Sequence, residues 1–110
     1  MPVITVALAP HAAERELLGS VADAVADALG LAPGDVIAMS VPVRTTVTNG
    51  ARTDAAAARW ALISIHGSDR GAEQTRRACA AAQDAAADWS RRHSVDQEGV
   101  WCEWLLPQHP

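Results

Sequence analysis

Residues 2–9 read Pro2-Val3-Ile4-Thr5-Val6-Ala7-Leu8-Ala9. They are small, apolar and rich in β-branched side chains, with Ile4, Val6 and Leu8 on one face and Val3, Thr5 and Ala7 on the other. That pattern predicts a strand able to bury both faces. Working outward, Leu17, Leu18, Val21, Val25, Ala28 and Leu29 recur at helical spacing between Ala12 and Leu29, while Glu14, Arg15, Glu16, Asp23 and Asp27 fall on or near the opposite side. Gly30 is placed to end this helix in the left-handed conformation, with Leu31 folding back onto it. After the turn Ala32-Pro33-Gly34-Asp35, residues Val36 to Val43 read as a second strand in which Pro42 limits ladder hydrogen bonding. Residues 2–43 therefore form one strand–helix–strand unit.

Residues 44–59 are a connection rich in threonine, alanine and arginine, and Asn49-Gly50 marks a candidate hairpin turn. A second unit spans 60–106. Trp60 to His66 is its first strand, Ser68-Asp69 offers capping oxygens, and Thr75, Ala78, Cys79, Ala82, Ala85, Ala86 and Trp89 mark the buried stripe of a long alanine-rich helix. Arg91, Arg92 and His93 close that helix on the side its dipole favours. Past the polar turn Ser94 to Gly99, Val100 to Leu106 makes a fourth strand, stopped by Pro107. The expectation is a single domain over 1–110 of α/β (α+β) class: two βαβ units carrying a four-stranded sheet and two helices. Two architectures share this order, a ferredoxin-like sandwich with interleaved units and a side-by-side arrangement with pseudo-twofold symmetry. With so many alanines the helices bring little apolar bulk, so burial between subunits is favoured for a chain this short.

Composition excludes several classes. The chain has 110 residues, 49% of them hydrophobic and 20% charged, which is the range of an ordinary globular domain. Its nine basic residues are all arginines, and against thirteen acids they leave a net charge of −4. No diffuse basic surface exists for a phosphate backbone, so nucleic-acid binding is disfavoured. Cys79 and Cys102 are far apart in sequence, suggest neither a zinc knuckle nor a disulfide scaffold, and read as buried thiols. No apolar run approaches a membrane span of roughly 18–20 residues, and no basic start precedes the apolar N-terminus, so a cytoplasmic protein with no membrane partner is the expectation.

The start Met-Pro carries possible chemistry. Removal of Met1 leaves Pro2 as a free secondary amine at the head of a strand. An α-amino group has a reference pKa of about 7.7–8.0, and an apolar surround or a neighbouring arginine lowers it further. Such an amine serves as a general base near neutral pH, and the ring limits the entropy lost in aiming the nitrogen. A chain that keeps Met1 has an amide there and no basic nitrogen.

Read together, Pro2-Val3-Ile4-Thr5-Val6, the first unit with its turn Ala32-Pro33, and a second unit entered through Ile65-His66-Gly67 and closed by Val100-Trp101 resemble the tautomerase superfamily. The likeness covers nearly the whole chain. Two units in 110 residues resemble its macrophage migration inhibitory factor and cis-3-chloroacrylic acid dehalogenase branches. The resemblance implies a pseudo-twofold mixed sheet with both helices on one face, a homotrimer, no cofactor and no metal, and Pro2 as the catalytic amine acting on small enols, keto acids or unsaturated acids. His66-Gly67-Ser68-Asp69-Arg70 is similar to the dehalogenase segment whose arginine binds the substrate carboxylate, so Arg70 inherits that role. Elsewhere the chain departs from its relatives. Ala12 and Ile37 stand where short tautomerases have two substrate-binding arginines, Leu31 lies near the inhibitory-factor lysine, Leu29 replaces a dehalogenase histidine, and Glu73 stands where a second dehalogenase arginine would be. One acid group, or a larger neutral substrate, fits this set better than a dicarboxylate.

The remaining candidates come from the residues themselves. Glu103 interrupts the apolar run Val100 to Leu106, where a carboxylate is costly unless paired, so it is either a site residue or an edge position. It is also close to where the dehalogenases carry a catalytic glutamate. His66 comes beside Pro2 if the first and third strands are antiparallel at the sheet centre, and otherwise caps the next loop. Arg70 opens the second helix, an unfavourable place for a cation unless an anion joins it; a solvated arginine is the alternative. Arg44, just past the second strand, is a further carboxylate contact or a solvent-facing loop residue. Trp101 and Trp104 wall a pocket or pack in core and interface. The mechanism these imply has Pro2 moving a proton next to a carbonyl, Arg70 holding the carboxylate, and Glu103 or His66 returning the proton or activating water. A hydratase, dehalogenase or decarboxylase on the same scaffold, a non-catalytic binding protein, and a ferredoxin-like dimer are the competing readings.

Overall fold

The computed structural model describes residues 1–47, 49 and 60–107. In chain order the elements are β1 (Val3–Leu8), α1 (Glu14–Leu29), β2 (Ile37–Pro42), β3 (Trp60–His66), α2 (Ala72–Arg92) and β4 (Gly99–Leu105). The candidate hairpin at Asn49-Gly50 lies outside the described residues, apart from Asn49 itself.

Pairing decides between the two architectures. β1 runs parallel to β2, with Val3 opposite Ile37, and antiparallel to β3, with Val3 opposite His66. β3 in turn runs parallel to β4, with His66 opposite Leu105, and the sheet order is β2-β1-β3-β4. Each strand therefore lies beside the strand that follows it across a helix. The units sit side by side, and the interleaved ferredoxin-like order is not formed.

Alternation along the strands sends Ile4, Val6 and Leu8 of β1 and Ala61, Ile63 and Ile65 of β3 to one face, where they are buried against Leu17, Val21 and Val25 of α1 and Ala78, Ala82, Ala86 and Trp89 of α2. Alanines along the α2 stripe let that helix pack closely against α1. Trp89, fully buried, fills the remaining volume and donates its indole N–H to the Ala13 carbonyl at 3.1 Å. α1 ends at Gly30 (φ 67°), where the Leu31 N–H reaches the Ala26 carbonyl at 2.9 Å and satisfies an otherwise orphaned acceptor. α2 begins differently from the sequence expectation. Its cap is Gly71 (φ 84°), without a side-chain cap bond. The positive φ turns the chain so that Asp69 Oδ1 reaches only the Gly71 N–H, at 2.9 Å, and Ser68-Asp69 do not cap the helix proper.

The second face of the sheet has no helix over it. Ile37, Met39, Val41, Trp60, Leu62 and Trp101 stand there between 43% and 58% exposed, and Val3, Thr5 and Ala7 are half-buried rather than enclosed. Among the described residues no helix is long and apolar enough to cross a membrane.

Candidate active site

Pro2 precedes β1 on the face of Ile4, and its ring is fully buried. Its carbonyl accepts the Ile37 N–H at 3.2 Å, which ties the head of β1 to β2. Met1, attached to it, is 68% exposed. The antiparallel β1/β3 register brings the last residue of β3, His66, opposite Val3 and hence next to Pro2, while Leu105 of β4 flanks His66 on its other side. The Gly67 N–H continues the ladder to the Leu105 carbonyl at 3.1 Å. Around this end of the sheet a cleft of about 340 Å³ is lined by Met1, Val3, His66, Gly67, Ser68 and Leu105, together with Pro107. A second hollow, about 360 Å³, shares Ser68 and Pro107 with it. Ser68, which sequence reasoning treated only as a cap, thus borders both.

Arg70 lies on the loop from β3 to α2, half-buried. Its Nε is enclosed and has no acceptor among the described residues; the same holds for the indole Nε1 of Trp104. A Cβ on Gly67 would come within 2.6 Å of the Trp104 ring, so this position needs glycine for the indole to lie where it does. Only the structure exposes the Trp104 donor, because the sequence shows an aromatic residue in an apolar strand and nothing of its N–H.

Glu103 is opposite Ser64 and exposed on the open face. Its apolar sequence neighbours Cys102 and Trp104 alternate to the helix side, so the run that made a carboxylate look costly does not enclose it in the protomer. It sits about 7 Å along β4 from Leu105, two residues at strand rise. Trp101 is a further two residues away, opposite Leu62. Arg44 follows β2, beyond the point where the Val43 N–H bonds the Leu8 carbonyl at 2.9 Å, and so lies at the opposite end of β1 from Pro2. One protomer therefore brings His66 beside Pro2, carries Arg70 four residues further on in the loop to α2, holds Glu103 and Trp101 progressively farther along the open face, and leaves Arg44 remote.

Two other features are accounted for by packing. A cleft of about 410 Å³ lies at the far end, between α2 and the start of β4. Several of its polar groups bond one another or the backbone, with Gln83 Nε2 donating to the Val100 carbonyl at 3.1 Å and Ser90 Oγ to Gln97 Oε1 at 2.5 Å. Cys79 and Cys102 meet across the α2/β4 interface; burial, then hydrogen bonding to Cys79, pushes the Cys102 thiol far up, so it is a poor nucleophile. Among the described residues no group of three or more His, Cys, Asp or Glu side chains is placed to hold a metal ion.

The same two-unit arrangement occurs in solved structures. A fused 4-OT symmetric trimer superposes with a TM-score of 0.69 at 21% identity, covering 98% of this chain and 85% of that one. The chain has the tautomerase-superfamily fold. Malonate semialdehyde decarboxylase, described with decarboxylase and hydratase activities, matches with a TM-score of 0.68 at 17% identity over 96% of this chain and 84% of its own. Macrophage migration inhibitory factor of Toxoplasma gondii matches at 0.66 and 20% identity, over 97% and 89% of the two chains. No family model matches the sequence, and no curated protein matches it significantly. Within this fold Pro2 stands at the head of the first strand, its buried ring between Met1 and Val3, the two neighbours that line the cleft.

Proposed function

We propose that the protein is a tautomerase-type isomerase that uses the Pro2 amine, freed by removal of Met1, as general base and acid on a small enol, keto acid or unsaturated carbonyl compound. The observation that carries this reading is the coincidence, at one end of the sheet, of a buried proline heading β1, His66 in register beside it, and a cleft whose wall includes Met1. The buried ring holds the nitrogen in a fixed place at the head of β1, which limits the entropy lost in aiming it. Pro2 then takes a proton from the carbon next to a carbonyl, Arg70 holds the carboxylate and stabilises the developing enolate, and His66 returns the proton. The chemistry draws on no cofactor.

A lyase on the same scaffold, a hydratase, dehalogenase or decarboxylase, is the second reading. It is favoured by Glu103, which is exposed on the open face and unhindered in activating water, and by the decarboxylase and hydratase activities of a structural neighbour. The open apolar face and the trimeric neighbours support a homotrimer, in which further residues reach the cleft from an adjacent copy.

The test is the intact mass of an untagged preparation before and after exposure to a small halogenated keto acid. Loss of Met1 followed by one adduct per chain, mapped to Pro2, is the expected result. Retention of Met1 with no adduct removes proline chemistry and leaves a binding scaffold.

A further inference from the structure

Packing explains why Cys79 and Cys102 meet; their meeting also permits a bond. They are the chain's two cysteines, one on α2 and one on β4, and both are free thiols. Cys102 stands opposite Ile63 on the helix-facing side of the sheet, and both cysteines are partly buried against the core cluster. On the helix, Cys79 lies beside Ala78 and one turn's face from Ala82, two fully buried alanines.

The register between the helix and the strand is pinned by a neighbouring contact. Gln83 Nε2 donates to the Val100 carbonyl at 3.1 Å. Cys79 precedes Gln83 by four residues, about 6 Å along a helix. Cys102 follows Val100 by two residues, about 6.6 Å along a strand. The helix returns in the direction opposite to the strand, so the two steps match and set Cys79 over Cys102, where their thiols are hydrogen-bonded to each other. The sulfurs need close only from hydrogen-bonding to bonding distance, a change that rotation of two short, unbranched side chains supplies.

This contact has a structural consequence. β4 is an edge of the sheet, paired on one side alone, with β3. A bond to α2 gives it a second covalent attachment three residues before Leu105, which forms part of the cleft wall.

We propose that Cys79 and Cys102 form a reversible disulfide within one chain when the protein meets a hydroperoxide, stapling α2 to β4. The Cys79 sulfur attacks a peroxide oxygen, the O–O bond breaks, and a sulfenic acid and one water result. The Cys102 sulfur then attacks the sulfenic sulfur, an S–S bond forms, and the hydroxyl leaves with the Cys102 proton as a second water. Two thiols are oxidised by two electrons in all, and one peroxide is reduced to two waters. Burial holds the Cys102 thiol protonated, which assigns it the second step and makes the reaction slow rather than sensor-like. The staple is independent of any chemistry at Pro2.

The experiment treats the wild-type protein overnight with hydrogen peroxide at about pH 8.5, where thiolate is better populated, then alkylates and digests it with trypsin without reduction. Cleavage after arginine places Cys79 in the peptide 78–91 and Cys102 in 93–110, so methionine oxidation does not obscure the result. The expected product is these two peptides joined, from a protein that stays one chain in denaturing conditions, and separated again by dithiothreitol. Closing a loop of about two dozen residues is expected to raise Tm by about 10 °C, and Cys79→Ser is expected to show no such rise after peroxide. Two alkylated thiols after exposure, a sulfinic acid on one cysteine with the other still free, or a disulfide joining two chains each overturns the staple. A joined pair that lowers Tm overturns it as well, because the thiols would then have left the native packing to meet. These readouts are taken on the wild type, so a Cys79→Ser protein that fails to fold leaves the proposal testable.

Discussion

Gly67 separates the cleft from the Trp104 ring on the helix-facing side of the sheet. It lines the cleft on one side, and on the other an added Cβ would meet the rigid Trp104 ring at 2.6 Å, a separation that real side chains do not tolerate. Gly67→Ala must therefore displace the indole or bend the end of β3. The expected cost is about 1–3 kcal/mol, the usual range for overpacking a well-filled site, measured by urea denaturation. A variant as stable as wild type would show that the ring yields freely. At this scale the sequence was informative where chemistry is local. The Met-Pro start and the His66–Arg70 segment could be read as candidates because each owes its interest to its own residue type. Glu103 could not be judged from its run alone, since alternation sends Cys102 and Trp104 inward and leaves the carboxylate outward. The free donors of Arg70 and Trp104 were illegible, because satisfaction depends on neighbours that no spacing rule supplies.

Among the elements, the ends of the helices do more than cap them. Glu16, in the first turn of α1, pairs with Arg92 and meets His93 Nε2 at 2.8 Å, both at the end of α2. Arg92 also bonds Asp88 at 3.0 Å. Hydrogen bonding from Arg92, then from His93, holds the Glu16 carboxyl below its ordinary value of 4.5. Because the folded-state value is depressed, the contact contributes stability that is fully present above the unfolded value of about 4.5 and is lost as pH falls through the lower, folded one. Thermal melts from pH 6 to pH 3 are expected to show this as part of the acid-side loss of Tm. Glu16→Gln should lower Tm slightly at pH 6 and flatten the decline below pH 4.5. A Glu16→Gln profile parallel to wild type throughout would mean the clamp carries no linkage. The effect is small, since Glu16 and Arg92 are both largely in solvent, where screening weakens ion pairs. The elements themselves were legible: alternation in β1 and β3 and the helical stripes of α1 and α2 are properties of short windows of sequence. The α2 cap was not, because Gly71's positive φ redirects Asp69 to a turn, a result of backbone geometry rather than residue preference.

For the whole molecule, strand order was the undecided point, and the register resolves it: β1 lies between β2 and β3, so the two units share the sheet as neighbours. Long-range pairing was beyond sequence reading, since both architectures use the same order of elements. Its consequence is that the helices cover one face and leave Ile37, Met39, Val41, Trp60, Leu62 and Trp101 on the other. So many large apolar residues on one unpartnered surface exceed what isolated globular chains ordinarily expose. Leu62 stands between Ala7 of β1 and Trp101 of β4, near the middle of that surface. We therefore expect light scattering to give three times the protomer mass of 11.5 kDa, and Leu62→Asp to release protomers by placing a charge at the centre of the contact. Arg91→Glu, on the exposed side of α2, is the control and should leave the assembly intact. The remoteness of Arg44 sharpens the expectation. Six residues of β1 at strand rise put it about 20 Å from the Pro2 end of its own chain, so any part it takes in the reaction must be played toward a neighbouring copy. Activity lost in Leu62→Asp but kept in Arg91→Glu would place the site between copies. A wild-type protein that scatters as a monomer, or a dissociated Leu62→Asp variant with full activity, would instead confine the chemistry to Pro2, His66 and Arg70 of one chain.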